Sequence, residues 1–105
     1  MIQVKCSYHG KMLSSIIASG HAMYSDYGKD IVCSATSSCI ITTINGILKI
    51  DPSSFAVKQS EDTIIVEVQK QNDVVLKLLE NMIEMLEELE EQYPKNIRLS
   101  KEENE

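Results

Sequence analysis

Residues 31–48 read IVCSATSSCIITTINGIL, a run of eighteen positions without one charged side chain. At about 100° per residue, Cys33, Ser37, Ile40, Ile41, Ile44, Ile47 and Leu48 gather on one stripe of a helix. Ala35, Ser38, Cys39, Thr42 and Gly46, which are small and weakly polar, line the opposite side. A helix of this make-up is expected to be covered on more than one side, by a sheet and by a second subunit. Asp30 stands where an N-cap belongs, because its carboxylate can accept from backbone N–H groups that a first turn leaves open. Asp51-Pro52-Ser53 ends the helix, since proline has no N–H to donate and blocks continuation.

Working outward from this helix, residues 2–8 alternate between Ile2, Val4, Cys6 and Tyr8 on one face and Gln3, Lys5 and Ser7 on the other. That is the period of a half-buried strand. His9-Gly10-Lys11 supplies a turn, and MLSSIIAS (12–19) returns as the second strand of a hairpin that Gly20 ends. On the far side, SFAVKQ (54–59) and TIIVEVQ (63–69) read as two more strands joined at Ser60-Glu61-Asp62. Asn72 or Asp73 caps a second helix to about Tyr93, with Val75, Leu79, Met82, Leu86, Leu89 and Tyr93 on its apolar seam. Pro94 ends it, and NIRLS (96–100) adds a short last strand. The order ββαββα(β) predicts an α+β fold, a mostly antiparallel sheet of four to five strands carrying two helices.

With 105 residues, the chain suffices for one domain, assigned to residues 1–100, with 101–105 as a polar tail. Ten basic against sixteen acidic residues give a net charge of −6, the wrong sign for neutralising nucleic-acid phosphates. Such a surface favours a basic protein or peptide instead. The acidic residues concentrate in Glu84, Glu87, Glu88, Glu90, Glu91, Glu102, Glu103 and Glu105, which read as a solvated helix face and a frayed tail. No stretch is expected to span a membrane, and MIQVKCSYHGK lacks the pattern of a secretory signal. The expected location is therefore cytoplasmic. Three cysteines, an odd number without a C-x-x-C pair, fit reduced thiols.

One of the two histidines and one of those cysteines, His21 and Cys33, stand twelve residues apart across a polar loop. In the first turn of a helix capped by Asp30, the Cys33 thiol would feel the positive end of the dipole and ionise more readily. A neighbouring imidazole would complete a thiolate–imidazolium pair. Backbone N–H groups of Cys33 and Ser34 are the candidates for holding an oxyanion. From spacing alone the plainer alternative stays open: a small core cysteine with an exposed histidine nearby. His9, His21, Cys6 and Cys33 have no recognised ligand spacing, so no metal is expected, and no cofactor is implied.

Gly20-His21-Ala22, followed by Gly28-Lys29-Asp30-Ile31-Val32-Cys33-Ser34-Ala35-Thr36-Ser37, resembles the signature of the ribosomal-processing cysteine protease family. Ser34 and Thr36 depart from it, standing where small apolar residues such as Ala and Val are usual. The resemblance runs the full length, through the uncharged helix to YPKNIRLS (93–100). It implies an endopeptidase that removes the basic N-terminal extension of ribosomal protein twenty-seven of the large subunit, cutting after aromatic residues. It makes Cys33 the nucleophile and His21 the general base, with Asp30 orienting His21 or capping the helix. Residues 22–29 correspond to a mobile loop beside the active site, with Ala22, Tyr24, Tyr27 and Gly28 as substrate-facing candidates. The resemblance also implies a homodimer. The rival reading is a non-catalytic ribosome-assembly module whose thiol is structural or redox-sensitive, and thiol reactivity separates the two.

Overall fold

The structure, a computed structural model, describes residues 1–20, 27–60 and 62–104. Seven elements follow in order: β1 (Ile2–His9), β2 (Met12–Ser19), α1 (Tyr27–Ile50), β3 (Phe55–Gln59), β4 (Thr63–Val68), α2 (Asp73–Gln92) and β5 (Ile97–Asn104). The strands form one sheet in the order β3-β4-β2-β1-β5. All neighbours are antiparallel except β1 and β5, so the expected α+β fold is present with one parallel pair.

The period of two in β1 explains the main core. Ile2, Val4 and Cys6 are buried together with Leu13, Ile16 and Ala18 of β2, Ile64 and Val66 of β4, and residues of both helices. Leu13 and Ile16 are three apart, and an unbroken strand would send them to opposite faces. A bulge resolves this: Ser7 pairs with Ser15 and Tyr8 with Leu13, leaving Ser14 as the extra residue. The Ser14 hydroxyl donates to the Ser7 carbonyl at 2.9 Å, satisfying a group the bulge would otherwise strand.

The α2 cap is Asn72, whose Oδ1 accepts from the N–H groups of Val74 at 3.0 Å and Val75 at 3.3 Å. Its Nδ2 donates to Asp51 Oδ2 at 3.2 Å, which ties the start of α2 to the end of α1. Val75, Leu79, Met82 and Leu86 are buried as the seam required, and Ile83 joins them.

Four expectations need correction. First, α1 begins at Tyr27, so Asp30 is its fourth residue and not its N-cap. Second, the buried face of α1 is centred on Val32, Thr36, Ile40, Ile44 and Ile47, while Ile41 and Leu48 are exposed. Without charges to mark the wet side, the wheel does not fix the facing direction, and it places Thr36 on neither side. Third, Ile31–Ile50 is long and apolar enough by length and composition to cross a membrane. Here it lies as a layer of the fold, buried along one face by the sheet and α2.

Fourth, residues 101–104 are not a tail, because β5 continues to Asn104 alongside β1. Lys101 lies 3.3 Å from Glu87, and Glu102 lies 3.2 Å from Lys5. The polar composition of KEEN reads as disorder, but the free edge of β1 supplies backbone partners for any sequence laid beside it.

Candidate active site

Gly20 closes β2 one residue before His21, and only glycine suits its place. Its φ is +83°, a region that side chains avoid, and a Cβ there would collide with the Met1 carbonyl. The Gly20 N–H donates to the Asp62 carbonyl at 3.1 Å. The chain therefore leaves the sheet from a pinned position beside the start of β4. His21, Ala22 and Tyr24 lie outside the described residues.

The chain re-enters as α1, which places Tyr27, Gly28 and Asp30 in its first turn. Residues 27–29 of the anticipated loop are thus helical backbone. Cys33 is the seventh residue of α1, in its second turn and not its first. That shift matters for two assignments. The dipole effect falls off beyond the first turn, so activation of the thiol rests more heavily on a base. An amide in the second turn also donates to the carbonyl four residues back, so Cys33 and Ser34 are poor oxyanion donors. The amides that a helix leaves open are those of its first four residues, here 27–30.

Cys33 itself is half-buried at the margin of the core cluster, while Ser34 is exposed. Of the other two thiols, Cys6 lies deeper and Cys39 is half-buried like Cys33. Cys6 is fully buried, and desolvation, only partly offset by Lys101, pushes its pKa up to about 11. Burial also raises the pKa of Cys39, whose Sγ faces the Met82 carbonyl at 3.9 Å. Neither is suited to act as a nucleophile near neutral pH.

A cleft of about 200 Å³ opens next to the Cys33 face of α1, lined by Ser37, Ile41, Gln59, Ser60, Asp62, Thr63 and Ile64. Ser37 and Ile41 follow Cys33 at four and eight residues, so they extend its face along the helix. The opposite wall is the β3–β4 turn. Asp62 of that turn is the residue whose carbonyl holds Gly20, and Thr63 pairs with Ser19 in the sheet. The strand end preceding His21 and the helix face following Cys33 thus border the same turn. Sequence reading treated Ser60-Glu61-Asp62 only as a connection, because nothing in its composition shows that it closes a cleft.

With the geometry in hand, the relatives are informative. The family described as Cysteine protease Prp matches residues 1–98. A Staphylococcus aureus ribosomal processing cysteine protease Prp is 28% identical over 102 residues, covering 94% of this chain and 95% of the relative. A crystal structure of the S. aureus essential ribosomal processing protease Prp with a substrate peptide superposes with a TM-score of 0.89 at 26% identity. It covers 96% of this chain and 99% of that one. A Streptococcus mutans structure shares the fold, with a TM-score of 0.88 at 21% identity over 99% of this chain and 96% of the other.

Cys33 is half-buried on α1, one helical turn from Ser37 at the edge of the cleft. The chain belongs to the cysteine protease Prp family, and its activity is that of a cysteine protease.

Proposed function

We propose that this protease matures a ribosomal protein, removing the N-terminal extension of protein twenty-seven of the large subunit through Cys33 and His21. The observation that carries the reading is the run from Gly20-His21-Ala22 to Asp30-Ile31-Val32-Cys33 in a chain of this family. The S. aureus relative is a ribosomal processing protease, and one of its structures, at 27% identity, holds a covalently linked product peptide. A covalent intermediate is what a cysteine nucleophile requires.

The chemistry runs in two halves. His21 takes the Cys33 thiol proton, and Sγ attacks the scissile carbonyl carbon, forming a C–S bond while the π electrons move to oxygen. First-turn amides of α1, within residues 27–30, are the donors available to that oxyanion. The oxyanion collapses, the C–N bond breaks, and His21 returns its proton to the leaving amine. Water, deprotonated by His21, then attacks the thioester carbonyl; the C–S bond breaks, the new C-terminal acid leaves, and His21 returns the proton to Sγ. Asp30 stands in the same first turn as a candidate for orienting His21; as the fourth residue of α1 it is not the N-cap.

The protein acts in the cytoplasm as a homodimer in this reading. Support for the dimer comes from the apolar side chains that α1 leaves exposed, Ile31, Ile41, Leu48 and Ile50. Light scattering that shows only monomer over the working concentration range rejects it.

The decisive experiment uses a peptide spanning the processing site. Cys33→Ala is expected to reduce cleavage by at least about a thousandfold while far-UV circular dichroism stays native. His21→Ala is expected to do the same and to slow iodoacetamide labelling of Cys33 near pH 7. Cleavage at the native rate by either variant removes the Cys33–His21 assignment. Cys6, with its raised pKa, labels slowly in both proteins and serves as the internal reference.

A further inference from the structure

We propose that the cleft between α1 and the β3–β4 turn is the subsite for a lysine or arginine side chain of the substrate, with the Asp62 carboxylate as its counter-charge. The proposal rests on the protease reading and adds a specificity-determining residue to it.

Position is the first argument. Ser37 lies one helical turn from Cys33, with Cβ atoms at that spacing about 5–6 Å apart. A substrate whose scissile bond sits at Cys33 and whose chain runs along α1 toward Ile41 passes the mouth of the cleft. The second argument is the lining. Ile41 and Ile64 offer apolar surface to the stem of a long side chain, while Gln59, Ser60, Asp62 and Thr63 offer polar groups to its head. Lysine and arginine divide themselves in this way, with the stem against apolar surface and the charge in water. About 200 Å³ admits one such side chain.

The third argument is charge. Asp62 is exposed, and none of the ion pairs among the described residues uses it. Its carboxylate is held in place by the Thr63 hydroxyl, which donates to Oδ1 at 3.1 Å. Its own backbone is fixed by the bond from Gly20. The position of the carboxylate is thus tied to the strand end that leads into His21. A protein built to bind ribosomal RNA must carry lysine and arginine to neutralise phosphates, so the substrate class supplies the matching cation.

The test separates binding from cutting. Cys33→Ala protein is titrated with a fluorescein-labelled peptide spanning the processing site, and with peptides in which each Lys or Arg is replaced singly by Gln. Adding Asp62→Asn is expected to weaken binding about two- to fivefold, the scale of one exposed charge pair. That loss is expected to vanish for the peptide lacking the one cation that occupies the cleft. In the active enzyme, Asp62→Asn is expected to raise KM with kcat unchanged. Native affinity and KM in Asp62→Asn overturn the proposal, as does an equal loss against every peptide or no peptide binding at all. If wild-type protein binds with this coupling but fails to cut, the protease reading falls and the cation subsite stands.

Discussion

The two helices of this protein are made by different rules. In α2 each turn declares its direction: Val75, Leu79, Met82, Ile83 and Leu86 are buried, while Glu80, Glu84, Glu88 and Glu91 are exposed. In α1 no charge appears between Ile31 and Leu48, and isoleucine stands both in the core (Ile40, Ile44, Ile47) and in the open (Ile31, Ile41). The acidic helix is an anchor whose orientation is written in its own period. The uncharged one carries Cys33, and its orientation is imposed by what packs against it. Weak amphipathicity permits the margin position of Cys33, half-buried in the second turn of α1.

The contrast breaks most visibly through the core. Leu79→Ala is expected to cost about 2–5 kcal/mol in denaturant unfolding, since Leu79 is fully buried. Leu48→Ala, the same deletion on the open side of α1, is expected to stay within about 0.5 kcal/mol in dilute protein. If its effect grows with protein concentration, Leu48 is covered by a second subunit, and the covering of α1 is intermolecular.

A smaller effect of opposite sign is expected at Thr36. Its Oγ1 is buried without a hydrogen-bond partner among the described residues, a state that costs free energy. Thr36→Val keeps the shape and removes the orphan hydroxyl, so the unfolding midpoint should rise, by about 1 kcal/mol in stability. A fall instead would show that the hydroxyl is bonded in solution.

The smallest effect concerns the joint between the helices. Hydrogen bonds from Ser53 and then Asn72 hold the Asp51 carboxyl below its ordinary pKa. A lowered folded-state value means that this contribution is present at neutral pH and is lost as acid passes through that value. Thermal melts below about pH 4, the ordinary carboxylate range, should therefore decline less steeply for Asp51→Asn than for the native chain.

Much of the architecture was legible because it rests on local periods and stop signals. The two hairpins, the amphipathic α2 and its cap at Asn72 or Asp73 follow from alternation, a 3.6-residue seam and a short polar residue at a helix start; the structure selects Asn72. The end of the chain was not legible. KEEN is too polar to declare a strand, and only the vacant side of β1 makes it one. Nor was the Ser14 bulge, which two consecutive serines conceal.

For the site, the residues with the right chemistry were legible in the motif, and Gly20 acquired a physical reason from its positive φ and the nearby Met1 carbonyl. The first-turn placement of Cys33 was not sustained, because a glycine-containing stretch joined the helix that Asp30 had seemed to begin. Sequence by itself determined the order of elements, the composition of the core and which thiol and imidazole belong to the motif, since those depend on side-chain type and near neighbours. Only the tertiary structure decided which face of α1 is buried, where the last strand pairs and that the β3–β4 turn closes a cleft beside Cys33. Each of these depends on surfaces brought together from distant parts of the chain, which no local pattern encodes.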